Sequence, residues 1–410
     1  MSRQVTASVL LAVLCLWFIV QFLPWGGSLE FREPLPKSYL GGSLKFQEQV
    51  NQSNRDSLTQ LQVTCTNVSQ EMTRGHWVQN NFTLDQLKEI EAFLRRTRAY
   101  HKLPADLQRD DKKCGDVNFP GTDWSRAVCN PNGSTPCCWE TSCVAKSVEQ
   151  CRCPRCYDMR QQIHAELATW VPDNPKCQMA LLSRQQICQL LTNMTIYFIG
   201  DSLMRQIFLS VFGLLRDDIL LDSTPQANRN ICDHYNRYFT DCTPHILRDS
   251  RECGGEVHLM SQSLWRASQS KNILEVMGQL TGKNNSLFVF GIGLHDGLDH
   301  NVVESQVLKP MFELMSKSPW PKVIWVTPHV PGPLKSGRYV HQQAAKMEVY
   351  NQVMHQVMRK QGIPVLDFLH LTDGVMSYDG THFGKGLNDV KAHIFLNFLL
   401  ENSKHFVHNV

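Results

Sequence analysis

One stretch near the middle of the chain constrains its fold most, because it combines a buried strand, a sharp turn and an apolar helix. Residues 196–200 are apolar and β-prone, as expected for a parallel strand covered on both faces. Gly200 permits a tight turn, and apolar residues recur at helical spacing from Leu203. Ser202 therefore lies at the carboxyl end of a strand and the start of a helix. There α/β folds bind ligands and backbone amides stabilise negative charge, so the position suits a nucleophile.

The same alternation continues to the carboxyl terminus. Further strands are predicted at 287–291, 323–328 and 364–369, with a weaker one at 256–260. Helices are predicted at 203–214, 263–280, 304–316, 342–360 and 387–400. Alternating strands and helices predict a parallel sheet with helices on both faces. Its ligand site should lie at the carboxyl ends of the strands.

A serine nucleophile needs a histidine base and usually an acid that orients the histidine. Asp379 and His382 follow the last predicted strand, and only two residues separate them, so a tight turn can bring both toward Ser202. The alternative is a turn that uses Asp and Gly for backbone reasons alone. Together with the Gly-Asp-Ser turn at the first strand, the pattern favours a catalytic triad of Ser202, His382 and Asp379.

Four further residues are candidates for binding substrate or an oxyanion. Arg205 lies three residues after Ser202, on the same side of the first helical turn, where a planar cation can hold a carboxylate or an acyl oxygen. The alternative for Arg205 is an ion-paired or solvated surface arginine. His295 is either an oxyanion donor or a satisfied loop histidine. Gly254 and Gly255 form a candidate oxyanion loop after the second strand.

The amino terminus and the sequons predict a secretory-pathway protein. The uncharged run at 5–23 is about 19 residues long, enough for a membrane helix, and Arg3 favours a cytoplasmic amino terminus. A cleaved signal peptide is the alternative, because residues 26–28 are small. In both cases the remaining chain is lumenal or extracellular. Six Asn-x-Ser/Thr sequons agree, with glycosylation expected at Asn51, Asn67, Asn81, Asn132, Asn193 and Asn284.

The chain has fifteen cysteines, of which Cys15 lies in the apolar run and the other fourteen can form an oxidised framework. The cysteines at 151–156 resemble zinc ligands, but a lumenal chain without paired histidines at finger spacing favours disulfides, and no metal is expected. Eleven cysteines lie at 65–188 and three at 232–253. Because both counts are odd, complete internal pairing requires a disulfide between the two regions.

The predicted domain organisation has five segments: a cytoplasmic tail (1–4), a signal-anchor transmembrane helix (5–25), a stem with a packing helix (26–110), a cysteine-rich region (111–190) and a catalytic α/β domain (191–410). The alternative to a stem is an ordered extension that packs on the main domain. The packing helix begins with a capping box of Thr83 and Gln86 and is expected to carry no chemistry. A net charge of +3 gives no reason to expect nucleic acid as a partner.

Three blocks of this sequence resemble those of SGNH (GDSL-type) hydrolases: Gly200-Asp201-Ser202, Gly293-x-His295 and Asp379-x-x-His382. Gly-Asp-Ser-x-x-Arg-Gln at 200–206, with Asp-Gly-x-His at 379–382, is similar to the PC-esterase branch. That branch includes plant trichome-birefringence-like polysaccharide O-acetyltransferases, the lumenal domain of the animal sialate O-acetyltransferase and the C-terminal domain of neurexophilin-and-PC-esterase proteins. The approach at 188–202 resembles the last group most. The resemblance covers about 188–410, roughly half of the chain.

The resemblance implies an SGNH-hydrolase-like, flavodoxin-like parallel sheet with Ser202 as nucleophile, His382 as base and Asp379 as the acid that orients it. It also implies oxyanion donors from the Ser202 amide, a block-two glycine and a block-three side chain. Many SGNH hydrolases have Gly-x-Asn-Asp in block three, where the Asn donates. Here His295 stands in that place, so His295 or Arg205 must take the donor role.

The expected function is that of a lumenal carbohydrate O-acetyltransferase or acetylesterase that works through an acyl-serine. It would bind no resident cofactor and would use an acetyl donor such as acetyl-CoA as co-substrate. Its expected partners are a glycan or glycoprotein acceptor, and the membrane through the amino-terminal helix. The anchor favours the Golgi membrane, with a secreted protein as the alternative. The alternative function is a non-catalytic glycan- or protein-binding protein on the same scaffold.

Overall fold

The computed structural model describes residues 65–216 and 247–406. The predicted cytoplasmic tail and transmembrane helix, together with Asn51, Cys232 and Cys242, lie outside these residues. Within the two described ranges, no helix combines the length and the apolar character needed to span a membrane. The strands are β1 (Gly75–Gln79), β2 (Cys137–Trp139), β3 (Ser142–Val144), β4 (Cys156–Tyr157), β5 (Ala168–Pro172), β6 (Thr195–Gly200), β7 (Asp249–Glu252), β8 (Val257–Ser263), β9 (Ser286–Gly291), β10 (Lys322–Val326) and β11 (Val365–Leu366).

The α-helices of the described residues follow the predicted order. They are α1 (Val68–Glu71), α2 (Leu84–Tyr100), α3 (Arg184–Leu190), α4 (Ser202–Leu215), α5 (Ser270–Leu280), α6 (His300–Val303), α7 (Lys309–Met315), α8 (Ala344–Lys360), α9 (Lys385–Glu401) and α10 (Ser403–Phe406). A π-helical segment at Glu304–Leu308 joins α6 to α7. The first part of the helix predicted at 304–316 is therefore π-helical and not α-helical. Pro310 lies directly after this segment, where its missing N–H breaks the α-helical ladder.

The central sheet has six strands in the order β11-β10-β9-β6-β8-β7. All neighbouring pairs are parallel except β7 with β8. The parallel strands, counted along the chain, lie in the order 2-1-3-4-5, which is the flavodoxin-like arrangement. The chain changes direction across the sheet between β6 and β9, and ligands of such folds bind outside the carboxyl ends of the strands at this point. The predicted parallel sheet is confirmed.

The edge strand β7 was not predicted, because its sequence Asp-Ser-Arg-Glu has no apolar residue. Glu252 is nevertheless buried, and Arg216 compensates its charge through an ion pair of 2.7 Å. The weaker predicted strand at 256–260 is longer than expected, since β8 runs to Ser263. The predicted helix at 263–280 accordingly starts later, at Ser270.

Both faces of the sheet are covered, as the continuous apolar strands predicted. Along β6, Ile196 and Phe198 point into the core beneath α4 and α9, whereas Ile199 points into the opposite core. The same alternation places residues of β9 and β10 in both cores. Helix α4 is buried along most of its length, including the polar residue Arg205. The sheet and these two helices therefore form a fixed platform for the turn that follows β6.

The described part of the predicted stem packs on the main domain. Strand β1 pairs with β5 in antiparallel orientation, and their facing residues Trp77 and Trp170 have ring centroids 5.4 Å apart. The indole of Trp77 donates a hydrogen bond of 2.9 Å to the carbonyl of Leu371 in the main domain. A disulfide joins Cys65 to Cys177. Two buried indoles explain why this polar stretch is ordered despite its weak periodicity.

The cysteine-rich region forms a small sheet with the strand order β3-β2-β4. Its disulfides are Cys114–Cys138, Cys129–Cys143, Cys137–Cys151 and Cys153–Cys156. The expectation of disulfides at 151–156 is confirmed. Two triplets of cysteines in the described residues lie close enough to bind a metal, but every member is in a disulfide. The bridge Cys188–Cys253 joins the two cysteine regions, as their odd counts required.

Candidate active site

The turn after β6 places Ser202 at the start of helix α4. Gly200 has a φ angle of +153°, and a Cβ atom there would lie 2.2 Å from the carbonyl oxygen of Gly291 on β9, so the position requires glycine. Asp201 caps the helix, because its carboxylate accepts a hydrogen bond of 2.9 Å from the Leu203 amide. Ser202 is 2% exposed and lies among first-turn amides that have no intrahelical acceptor.

A second turn, after the predicted last strand, supplies the acid and the base. Asp379 Oδ1 accepts hydrogen bonds from the amides of Thr381 at 2.8 Å and His382 at 2.7 Å. Asp379 Oδ2 lies 2.7 Å from His382 Nδ1. On the other side of the ring, His382 Nε2 lies 2.6 Å from Ser202 Oγ. The structure thus brings the three predicted triad residues into one hydrogen-bonded chain.

The electrostatics of the two carboxyl groups near Ser202 differ. Burial by itself raises the pKa of Asp379, but the charge and the hydrogen bonds of His382 outweigh it and hold this pKa well below its usual value. Asp379 is therefore a carboxylate at neutral pH and can orient the imidazole. Burial raises the pKa of Asp201 to about 6, despite its hydrogen bond from Leu203. Asp201 caps the helix end, and the charge of His382 also acts on its carboxyl group.

Arg205 lies on the first turn of α4 with only 7% of its surface exposed, so it is not the solvated surface arginine of the alternative. Burial lowers the pKa of its guanidinium, and the nearby charge of Asp201 acts in the opposite direction. Its Nε atom is buried and has no hydrogen-bond partner in the part of the chain that is described. A buried donor of this kind is unfavourable unless something accepts from it.

His295 follows β9 on the short helical turn Leu294–Asp296. Burial first, and then the charge of His382, lower the pKa of His295 to about 4, so its imidazole is neutral at neutral pH. Its Nε2 atom is buried and has no partner among the described residues. The next residue, Asp296, accepts hydrogen bonds of 2.9 and 3.1 Å from the Ala267 amide and so fixes this loop to the end of β8.

Gly254 and Gly255 are wrong as oxyanion donors. They lie in the turn Cys253–Gly255, which precedes β8 at its amino end. Strand β8 is parallel to β6, and Ser263 pairs with Gly200. The turn therefore lies at the amino ends of the strands, whereas Ser202 lies at their carboxyl ends. The intervening strand is about 20 Å long. No glycine follows β8 at the correct end, where the sequence is Ser-Leu-Trp-Arg.

Residues from outside the α/β domain also border the triad, and sequence reasoning missed them. The charges of Asp379 and His382 act on the pKa of His101, which burial lowers overall. Tyr100 interacts electrostatically with Arg205. Both residues lie at the carboxyl end of α2, the helix predicted to carry no chemistry; its predicted capping box is present. A third missed residue, Lys335, lies within the α/β domain and donates a hydrogen bond of 2.9 Å to Thr381 Oγ1, beside Asp379.

Comparison with protein families bears on this fold and site. A family model described as "NXPE family member 4-like, C-terminal domain" matches residues 170–399, more than half of the 410 residues. The chain belongs to the NXPE family. The match confirms the resemblance to the C-terminal domain of neurexophilin-and-PC-esterase proteins. It begins in β5, before the region that the motifs outlined.

Comparison with solved structures gives several similar chains, and one of them is an acylhydrolase. A lipase/acylhydrolase from Enterococcus faecalis matches with a TM-score of 0.31 and 14% sequence identity, over 51% of this chain and 95% of that chain. Among curated proteins, none matches this chain.

Proposed function

We propose that this NXPE chain is an acyltransferase or esterase that moves acetyl groups on glycan hydroxyls through an acyl-serine at Ser202. The observation that carries the proposal is the hydrogen-bonded chain from Ser202 Oγ through His382 to Asp379. Nucleophile, base and orienting acid lie at the carboxyl ends of the strands, at the switch point where this sheet order binds ligands.

The geometry supports a two-step reaction. Ser202 Oγ attacks the acyl carbonyl while His382 Nε2 takes the hydroxyl proton, and the carboxylate of Asp379 stabilises the imidazolium. The tetrahedral intermediate collapses, and His382 returns the proton to the leaving group of the acyl donor. An acceptor hydroxyl then gives its proton to His382 and attacks the acyl-serine. A sugar hydroxyl gives transfer and water gives hydrolysis, and Ser202 regains its proton in both cases.

Three donors are suited to the oxyanion of the intermediate. The amide of Ser202 lies at the start of α4, where the helix dipole favours negative charge. The neutral imidazole of His295 can donate from Nε2 in the tautomer that carries its proton there. Arg205 presents its unpartnered Nε on the same helical turn as Ser202. We assign the side-chain donation to His295 and the binding of an acyl or carboxylate oxygen to Arg205.

The proposed setting is the Golgi lumen, with the apolar run at 5–23 as the anchor and an acetyl donor such as acetyl-CoA. The described disulfides favour an oxidising compartment. Every sequon asparagine in the described ranges is exposed, which suits modification in that compartment: Asn67, Asn81, Asn132, Asn193 and Asn284.

The test is acetylation of cell-surface glycans in cells that express the full chain or its Ser202→Ala form. Mass spectrometry should detect acetyl groups that depend on the intact Ser202. Purified protein should label covalently with a fluorophosphonate and hydrolyse p-nitrophenyl acetate, and Ser202→Ala should abolish both. Ser210→Ala, in the same helix, is the control and should keep both activities. Equal acetylation, labelling and hydrolysis in wild type and Ser202→Ala would refute the proposal.

A further inference from the structure

Lys335 is a buried cation that the proposed triad mechanism does not use. Only 1% of its surface is exposed. Its Nζ atom donates to Thr381 Oγ1 at 2.9 Å and lies 3.6 Å from the centroid of the Trp124 ring and 4.7 Å from that of Tyr339. Burying an ammonium group is costly unless it is compensated, and such groups are often retained for a specific interaction. Here burial lowers the pKa of Lys335 to about 8, and the charge of Asp379 acts in the opposite direction and favours the charged lysine.

The lysine is in direct contact with the turn that holds the acid and the base. Thr381 receives Lys335 on its hydroxyl and gives its amide hydrogen to Asp379 Oδ1. Gly380 lies so close to the backbone of the lysine segment that a Cβ atom there would be 2.2 Å from the backbone nitrogen of Lys335. The amide of Gly332 donates to the carbonyl of Gly380 at 2.9 Å. Residues 332–335 therefore form a wall of the turn.

This wall is attached to the cysteine-rich region. Leu334 accepts a hydrogen bond of 2.7 Å from the Arg126 amide, and the Ser336 amide donates to the carbonyl of Trp124 at 3.1 Å. Ser336 Oγ also donates to Asn118 Oδ1 at 2.7 Å. All three partners lie between Cys114 and Cys129, and each of these cysteines is in a buried disulfide. Backbone and side-chain hydrogen bonds therefore link the disulfide-bonded segment 114–129 to the Lys335 loop, and Lys335 in turn contacts the Asp379–His382 turn.

The opposite side of the turn has a second, separate support. Lys391 donates to His329 Nδ1 at 2.8 Å, and His329 Nε2 donates to the carbonyl of Thr381 at 3.0 Å. Thr381 is thus held on its hydroxyl by Lys335, whose loop contacts the cysteine-rich region, and on its carbonyl by His329. The lysine that adds a charge next to the acid of the triad is Lys335.

We propose that Lys335 is a positioning residue for the acyl-transfer reaction: it holds the Asp379–His382 turn in register with Ser202 and places its ammonium group beside this turn. The cysteine-rich region is then a structural part of the active site, because it supplies the ring and the backbone contacts that hold the lysine. This inference rests on the proposed function, and its physical consequence can also be measured without turnover.

The variants compare charge with shape. Lys335→Met keeps an unbranched chain against Trp124 but removes the charge and the hydrogen bond, while Lys335→Arg keeps both features in a larger group. Thr381→Val removes only the acceptor of the lysine hydrogen bond. The rate of fluorophosphonate labelling of Ser202 should fall about 100-fold in Lys335→Met and in the same direction in Thr381→Val. Lys335→Arg should recover part of the rate.

The pH profile separates positioning from a general loss of structure. The titratable groups near Lys335 include Tyr339, whose ring centroid lies 4.7 Å from Nζ, Asp379 on the turn, and His295 after β9. The charge of Lys335 lowers the pKa of His295. Without this charge the acid limb of the labelling-rate profile should move to higher pH, and the KM for p-nitrophenyl acetate should stay within about twofold of wild type. A loss of rate that is equal at all pH values would indicate a structural role only and would overturn the proposal.

A measurement independent of activity distinguishes this inference from the proposed function. In NMR titrations, the midpoint of the His295 titration should lie at higher pH in Lys335→Met than in wild type, whether or not Ser202 reacts. If wild type fails to label, the proposed function is wrong, while the His295 shift still tests the lysine charge. If Lys335→Met does not fold, Thr381→Val carries the comparison. Wild-type rate and profile in a folded Lys335→Met would refute the proposal.

Discussion

The replacement Asp379→Asn tests the triad most sharply, because the structure predicts which proton it misplaces. Asp379 Oδ1 accepts from the amides of Thr381 and His382. In the variant the amide oxygen must stay at this position, since only oxygen can accept two N–H groups. The amide nitrogen then faces His382 Nδ1, where the carboxylate oxygen Oδ2 lay at 2.7 Å. An NH₂ group donates, so Nδ1 must accept, and the ring proton moves to Nε2.

The wrong tautomer removes the base. With a proton on Nε2, His382 donates to Ser202 Oγ at the position where it must accept, although the distance of 2.6 Å need not change. A change of this kind in a Ser–His–Asp triad lowers kcat about 10⁴-fold. The fold should be preserved, because both backbone amides keep their acceptor. Asp379→Ala should behave differently: it leaves those two buried amides without an acceptor, at about 1–3 kcal/mol each.

The assay is the rate of p-nitrophenyl acetate hydrolysis and of fluorophosphonate labelling, with thermal melting measured on the same samples. Asp379→Asn should lose at least 10³-fold in both rates, by the reasoning above, and melt like wild type. The chain offers a matched control in Asp367, which also holds a histidine, His355, at 2.9 Å and accepts from a backbone amide, that of Leu369. Asp367→Asn should keep both rates. Rates of Asp379→Asn within tenfold of wild type would refute the tautomer argument.

Two further predictions concern stability. Burial and the charge of Lys391 lower the pKa of His329 well below its usual value. Below pH 6.5 the unfolded chain therefore binds a proton that the folded chain does not, and the free energy of unfolding should fall by about 1.4 kcal/mol for each pH unit of acidification. The slope should be smaller in His329→Gln. Guanidinium unfolding of wild type and His329→Gln between pH 7.5 and 5 measures this. Equal slopes in the two proteins would contradict it, because Asp201 and His295 titrate in both. Gly200→Ala should destabilise the folded protein by about 1–3 kcal/mol or more, because the added Cβ would lie 2.2 Å from the carbonyl oxygen of Gly291. The control is Gly278→Ala in α5, where a Cβ meets nothing within 4 Å, and this change should be neutral or stabilising. Equal midpoints in chemical denaturation for these two variants would argue against the close approach.

The sequence predicted the α/β domain well because its signals are local. Strand β6, its glycine turn and helix α4 follow one another directly, and the apolar runs of β9 and β10 need no knowledge of their partners. The acid and base of the triad were accessible for the same reason, since Asp379 and His382 lie in one turn. Gly254 and Gly255 were misplaced, since they directly precede the strand predicted at 256–260 and therefore lie at its amino end, away from the carboxyl ends where ligands bind.

The residues that sequence reasoning missed come from distant parts of the chain. Lys335 lies in a loop with no regular pattern, and its approach to Asp379 depends on contacts with Trp124 and Arg126 in the cysteine-rich region. His101 lies at the end of a helix whose apolar face predicted packing alone. Nothing in the spacing of these residues indicates the triad. Their positions follow from how the disulfide-bonded region docks, which is a tertiary property.

The sequons show that the two ends of the sheet have different surroundings. Asn193 is exposed directly before β6 and Asn284 directly before β9, whereas Ser202 and His295 follow the same strands. Because a six-residue strand spans about 20 Å, a glycan on either asparagine would project from the edge opposite the triad. Asn67 also lies far from the triad along α9. Its backbone N–H donates to Glu401, the last residue of α9, and this helix begins three residues after His382. In these strands and in α9, the sequons lie at the end opposite the triad. Glycans there would leave the carboxyl ends of the strands open to an acceptor.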